Sequence, residues 1–205
     1  MGNTPYFLER TTNGTTGVSL ESVLMEQNRL VFLDKPVDAE FISEVVKQIL
    51  VLATTNKDDP ITLVINTPGG SITDGLALVD VIKACPCTIR GLSLGISASM
   101  GAVILASCSK GHRFVTEHSR VMLHEPLITS SSGGSCSSIQ ATAEALLERK
   151  KLINKLLCAY TGKDIKTINK ATSFDNYLSA EASVELGMCD EIVSNERLFE
   201  ILKGA

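Results

Sequence analysis

From residue 29 onward, apolar positions along the 205-residue chain follow two rhythms. Short continuous runs, "RLVFL" (29–33) and "ITLVIN" (61–66), have the length and branched content of strands buried on both faces. Each precedes apolar residues three and four apart: Phe41, Ile42, Val45, Val46, Ile49 and Leu50 from Asp38 on, then Ile72, Leu76, Val79 and Ile82 after the turn "TPGGS". That spacing lines up one face of a helix. The order recurs in "CTIRGLSLG", a strand, and "SMGAVILASC", a helix, followed by two more strands in "HRFVT" and "RVMLHEP". Strands alternating with helices predict an α/β fold with layers about a mostly parallel sheet.

The flanking segments read differently. Residues 1–17 are polar, rich in Thr and Gly and without periodicity, which predicts a flexible arm or loop. After Pro126, the low-complexity stretch "LITSSSGGSCSS" has the composition of a linker. A long amphipathic helix is predicted from about Ile139 to Cys158, with Ile139, Ala143, Leu146, Ile153 and Leu157 on one side and "ERKK" turned to water or a partner. "TGKDIKTINKAT" and "SAEASVELG" predict two short helices, the second capped by Gly187, before a strand in "CDEIV" and a terminal helix. Nothing divides the chain or repeats within it, so residues 1–205 are expected to form a single domain.

Composition narrows the classes of function. A hydrophobic content of 44% with 20% charged residues fits a globular protein, and a net charge of -4 gives no broad attraction for nucleic acid or anionic membranes, so neither is expected as a partner. "MGNTPYFLERTTNGTTG" lacks the layout of a secretory signal, no apolar run reaches spanning length, and Tyr6 stands where a myristoylation pattern needs Ser or Thr. A cytoplasmic location is expected. Of six cysteines only Cys85 and Cys87 are close, in "CPC", which lacks the two-residue spacer of redox and zinc pairs; Cys108, Cys158 and Cys189 read as small buried residues in a reducing compartment. No metal, disulfide or organic cofactor is predicted.

"GISASMGA" (95–102) crowds two serines between a strand and a helix. A serine there can cap the helix, or it can be a nucleophile lying where backbone N–H groups converge on a developing oxyanion. The second role needs partners. Among three histidines, His112 in "KGHR" and His118 in "TEHS" read as surface residues, whereas His124 ends the apolar "RVML" at a strand terminus, where α/β proteins carry their sites. Asp175 in "SFDNYLSAE" can be a turn residue or the acid that orients an imidazole. Ser99, His124 and Asp175 supply the residue types of acyl transfer, and the N–H groups of Gly70 and Met100 are candidate oxyanion donors.

The strings "INTPGGSITDGLALVDVI", "GISASMGAVILASCSKGHRF", "SRVMLHEP" and "DNYLSAEASVELGMCDEIV", in this order, closely resemble ClpP, the proteolytic subunit family of caseinolytic proteases, and the resemblance extends to "FLERTTNG". It implies a crotonase-like fold with a protruding long helix, Ser99 as nucleophile, His124 as base, Asp175 as orienting acid, and Gly70 with Met100 as the oxyanion hole. It further implies two stacked seven-subunit rings, peptides and unfolded proteins as substrates, and an ATP-driven AAA+ unfoldase such as ClpX, ClpA or ClpC. The chain departs from the family at Glu125, where Gln is usual; at Ser173 and Phe174, which replace an Asp-Arg pair of the ring contact; at Thr62, Val64 and Ala84, which replace aromatic residues of the docking pocket that retains Phe114; and at Thr15, Thr16 and Gly17, which replace charged residues. These departures raise an alternative: a divergent, weakly active subunit that completes a mixed ring with a ClpP paralogue. A crotonase-type acyl-CoA enzyme shares the fold but needs acid/base carboxylates instead of Ser, His and Asp.

Overall fold

Alternate burial along the central strands separates two apolar layers. Val31 and Leu33 of β3 (Leu30–Leu33) face one core and Leu30 and Phe32 the other; in β4 (Ile61–Thr67), Ile61, Leu63 and Ile65 face the first and Val64 the second. A parallel sheet covered on both sides requires both faces to be apolar, which is why these strands are continuous hydrophobic runs. A computed structural model describes residues 6–12, 14–128 and 134–204. Of the expected linker "LITSSSGGSCSS" (127–138), residues 129–133 lie outside the described residues, and its last three, Cys136, Ser137 and Ser138, are already the first turn of the helix that follows.

The larger core is closed by α2 (Ala39–Thr55), α3 (Ile72–Ala84), α4 (Met100–Ser107) and the C-terminal part of α5 (Cys136–Thr161). The smaller core lies under α1 (Leu20–Asn28) and the terminal α8 (Asn195–Leu202), through Leu24, Leu198, Ile201 and Leu202. Strand order is β3-β4-β5-β6-β9, all parallel, with β5 at Ile89–Ala98, β6 at Arg113–Thr116 and β9 at Glu191–Val193. The sheet forks on β5. Its first half pairs with β6 at Gly91–Ser93, and its second half pairs with β7 (Arg120–Leu123) at Ile96–Ala98. At the fork, Ser119 Oγ accepts from Gly95 N–H at 2.8 Å and Asn66 Oδ1 accepts from Ile96 N–H at 3.1 Å, so the backbone stays hydrogen-bonded as the strand changes partners. The second branch ends in β8 (Asn176–Leu178), antiparallel to β7, after α6 (Ile165–Thr172) and before α7 (Ala180–Leu186). This is the mostly parallel α/β arrangement expected from the pattern.

Two expectations need correction. Where residues 1–17 are expected as an arm or loop, the described part is not a loop: β1 (Tyr6–Thr11) and β2 (Gly14–Ser19) pair as an antiparallel hairpin. The alternation that reveals a strand comes from burying one face, and Tyr6, Phe7 and Leu8 are all exposed, so no such pattern was there to read. The long helix starts earlier than expected, and its first half is not core. Ile153 and Leu157 are buried, but Leu146 is only half-buried and Ile139 is exposed; the buried residues of α5, Ile153, Asn154 and Leu157, all lie in its C-terminal third.

One buried charge ties the layers together. Arg113, only 3% exposed, donates from Nε to Asp190 Oδ2 at 2.8 Å, from Nη2 to Asp190 Oδ1, and from Nη1 to the Tyr160 carbonyl at 3.1 Å. The bidentate geometry suits guanidinium and carboxylate and links β6, the approach to β9 and the end of α5.

Candidate active site

Seven helices begin with a side-chain cap: Ser19, Asp38, Ser71, Ser135, Asp164, Ser179 and Ser194 each accept from an amide in the first turn. Ser99, at the start of α4, does not. β5 passes into α4 through this single residue, at φ 54° and ψ -119°, a conformation that L residues rarely adopt. Its N–H continues the sheet by bonding Met122 O at 2.8 Å, and its carbonyl accepts from Ala102 N–H at 3.1 Å. The hydroxyl makes no bond to the amides of the helix it precedes. The Ser99 hydroxyl and His124 Nε2 are hydrogen-bonded at 2.8 Å. The other serine of the motif, Ser97, is fully buried and bonds Ser93 Oγ at 2.7 Å, a packing contact within β5.

The "TPGG" turn packs onto this elbow. Thr67 Oγ1 donates to Lys35 O at 2.6 Å and accepts from Gly69 N–H at 3.1 Å, while Val37 bonds both Gly69 O and Ser71 N–H. A Cβ on Gly69 would lie 2.5 Å from Ala98 O and 2.7 Å from Ser99 Cβ; one on Gly70 would lie 2.3 Å from Val37 O. Both residues also have positive φ, 86° and 151°. Only glycine meets both conditions. The N–H groups of Gly70 and Met100 donate to no acceptor among the described residues. Beside Ser99 and His124 lies a small apolar pocket walled by Ile72, Met100, Val103, Leu123, Pro126, Ile153 and Leu157.

His124 follows the last residue of β7, and its buried Nδ1 has no hydrogen-bond partner among the described residues. Asp175 does not reach it. The antiparallel register of β7 and β8 ends at Leu123 opposite Asn176, so the next step sets His124 and Asp175 across from each other, yet the Asp175 side chain is exposed and lines an open cleft of about 570 Å³ with Lys163, Lys170, Phe174 and Glu185. His112 packs edge-on against Phe114 at 6.5 Å, and His118 is exposed; neither is among the residues around Ser99.

The match to known families takes in every element just described except β1 and most of α8: a model of the Clp protease family fits residues 13–196. The chain belongs to the Clp protease family. Its fold is accordingly the ClpP type, with the long α5 extending from the α/β body. Several departures from the family pattern now have positions. Phe174 is 85% exposed beside the cleft that holds Asp175. Thr62, Val64 and Phe114 are buried, the latter two in the small core under α1 and α8, whereas Ala84 is exposed. Glu125 pairs with Lys150 of α5, a contact not foreseen, since "ERKK" was expected to face water or a partner; a lone Glu and a lone Lys 25 residues apart carry no periodic signal. The Arg113–Asp190 pair went unforeseen for the same reason. Among the described residues, no three His, Cys, Asp or Glu side chains group as metal ligands do, and no helix is long and apolar enough to cross a membrane.

Proposed function

We propose that this chain is a serine endopeptidase acting through an acyl-enzyme on peptides and unfolded proteins. The observation that carries the reading is the 2.8 Å hydrogen bond between His124 Nε2 and a Ser99 hydroxyl that caps no helix. Ser99 Oγ attacks the peptide carbonyl while His124 Nε2 takes its proton; the same nitrogen then protonates the leaving amine, and water releases the acyl group by the reverse sequence. Gly70 N–H and Met100 N–H receive the oxyanion, and the apolar pocket takes a neighbouring substrate side chain. Asp175 is the acid for Nδ1, and swinging its carboxylate from the cleft across the register pair to His124 completes the relay. No metal or organic cofactor takes part.

In this proposal the working form is two stacked seven-subunit rings in the cytoplasm, fed by an AAA+ unfoldase such as ClpX, ClpA or ClpC. The unpartnered Nδ1 and the exposed Asp175 favour a second reading: a conditional subunit whose activity depends on contacts supplied by a ClpP paralogue in a mixed ring. The test is to purify the chain alone and with that paralogue, then measure assembly mass, short-peptide hydrolysis and labelling by a fluorophosphonate. Wild type is expected to be labelled at Ser99 and Ser99→Ala to be neither labelled nor active. Undiminished turnover by a clean Ser99→Ala preparation sinks the mechanism, and full activity of the chain alone sinks the conditional reading.

A further inference from the structure

Glu125 directly follows His124, and its carboxylate pairs with the Lys150 ammonium of α5. The β7–β8 ladder stops at Leu123, so residues 124–128 lie outside any strand. Pro126 disfavours helical backbone at Glu125. On α5, Lys150, Ile153 and Leu157 share one face by their spacing. Ile153 and Leu157 wall the pocket that also contains Ser99, His124 and Pro126. One stripe of α5 therefore meets the His124 segment twice, through an apolar wall and through an ion pair. Among the described residues the imidazole itself has a single hydrogen bond, to Ser99, and none at its buried Nδ1. Its aim depends on where the backbone beneath it is held.

We infer that Glu125 and Lys150 are positioning residues: the pair fastens the His124 segment to α5, so the seating of α5 sets how His124 meets Ser99. The inference rests on the serine-peptidase reading above. With the Lys150 and Glu125 side chains 34% and 45% exposed, the pair contributes little net stability. What it supplies is a fixed spacing between helix and segment, and small displacements of a catalytic group reduce rate steeply.

The test compares wild type with Glu125→Gln, Lys150→Met and the exchanged double variant Glu125→Lys/Lys150→Glu. Readouts are the rate of fluorophosphonate labelling at Ser99, kcat and KM for a short peptide, thermal stability, and the carbon-13 signal of the His124 ring, which needs no activity. Each single variant is expected to label on the order of tenfold more slowly, to lose kcat with KM and melting temperature nearly unchanged, and to shift the His124 signal. The exchanged pair should recover most of the rate, and molar salt should slow wild type while leaving the single variants unaffected. Single variants with wild-type labelling and an unmoved ring signal overturn the inference, as does an exchanged pair no faster than the singles. Should wild type not be labelled at Ser99 either alone or with the paralogue, the peptidase reading falls by itself, and the ring signal in the two single variants still decides whether the pair positions His124.

Discussion

Ser99→Gly is expected to be more stable than Ser99→Ala, although both lack the hydroxyl. Ser99 is held at φ 54° and ψ -119° by the sheet bond to Met122 on one side and the start of α4 on the other. A residue with a Cβ in such a region carries strain of about 1–3 kcal/mol. Alanine keeps that strain and glycine does not. Against this, the greater freedom of glycine in the unfolded chain costs about 0.5–1 kcal/mol relative to alanine. At the middle of both ranges glycine is ahead by about 1 kcal/mol, which for a chain of this size is a rise of a few degrees in melting temperature. Both variants lose the bond to His124, so that term cancels. The measurement is urea unfolding and calorimetry of the two variants at matched protein concentrations, since assembly itself shifts apparent stability. An alanine variant equal to or more stable than the glycine variant would refute the claim that the elbow is strained by its own side chain.

Three further outcomes are expected. Gly69→Ala forces a Cβ to within 2.5 Å of the Ala98 carbonyl and 2.9 Å of Met100 N; fluorophosphonate labelling should fall by on the order of tenfold or more, and labelling at wild-type speed would show that the turn yields without disturbing Ser99. Asp190→Ala strands the buried Arg113 and should destabilise the chain by on the order of 3 kcal/mol at neutral pH. Burial pushes the Asp190 carboxyl up, but the hydrogen bonds and charge of Arg113 outweigh it and hold the group below its ordinary value. The stabilisation is therefore fully present above the unfolded carboxylate range near ~3.9 and disappears as pH falls through the lower folded value; a stability gap between wild type and variant that stays constant into strong acid contradicts this. Burial also pushes the Cys108 and Cys189 thiols up to about 12, so iodoacetamide at pH 8 should modify exposed Cys136 and spare both in the native chain; mass spectrometry showing equal modification would mean that those thiols are not shielded.

The chain's own pattern determined the layers and the position of the elbow between β5 and α4, though not its geometry. β3 and β4 are buried on both faces, so their apolar runs could be read directly, and the helices between them repeat an apolar face every three or four residues. Ser99 and His124 stand out as candidates because both lie at strand ends, and the structure brings their side chains together; Gly70 and Met100 stand out as a Gly-Gly turn and a helix start, and their roles belong to the proposal. The hairpin at residues 6–19 was not, since it buries no face that would impose alternation. Pairwise contacts between distant positions were equally silent. Whether Ser99 caps its helix or bonds His124 follows from φ and ψ at a single residue, which is set by the ladder from Ser97 to Met122 and not by the letters around it. Asp175 shows the same division: the register brings its backbone opposite His124, but the direction of its carboxylate, like the meeting of Glu125 with Lys150 and of Arg113 with Asp190, is decided by the packing of elements far apart in the chain. Local periodicity encodes which face is buried; only the folded arrangement determines which polar groups that burial brings together.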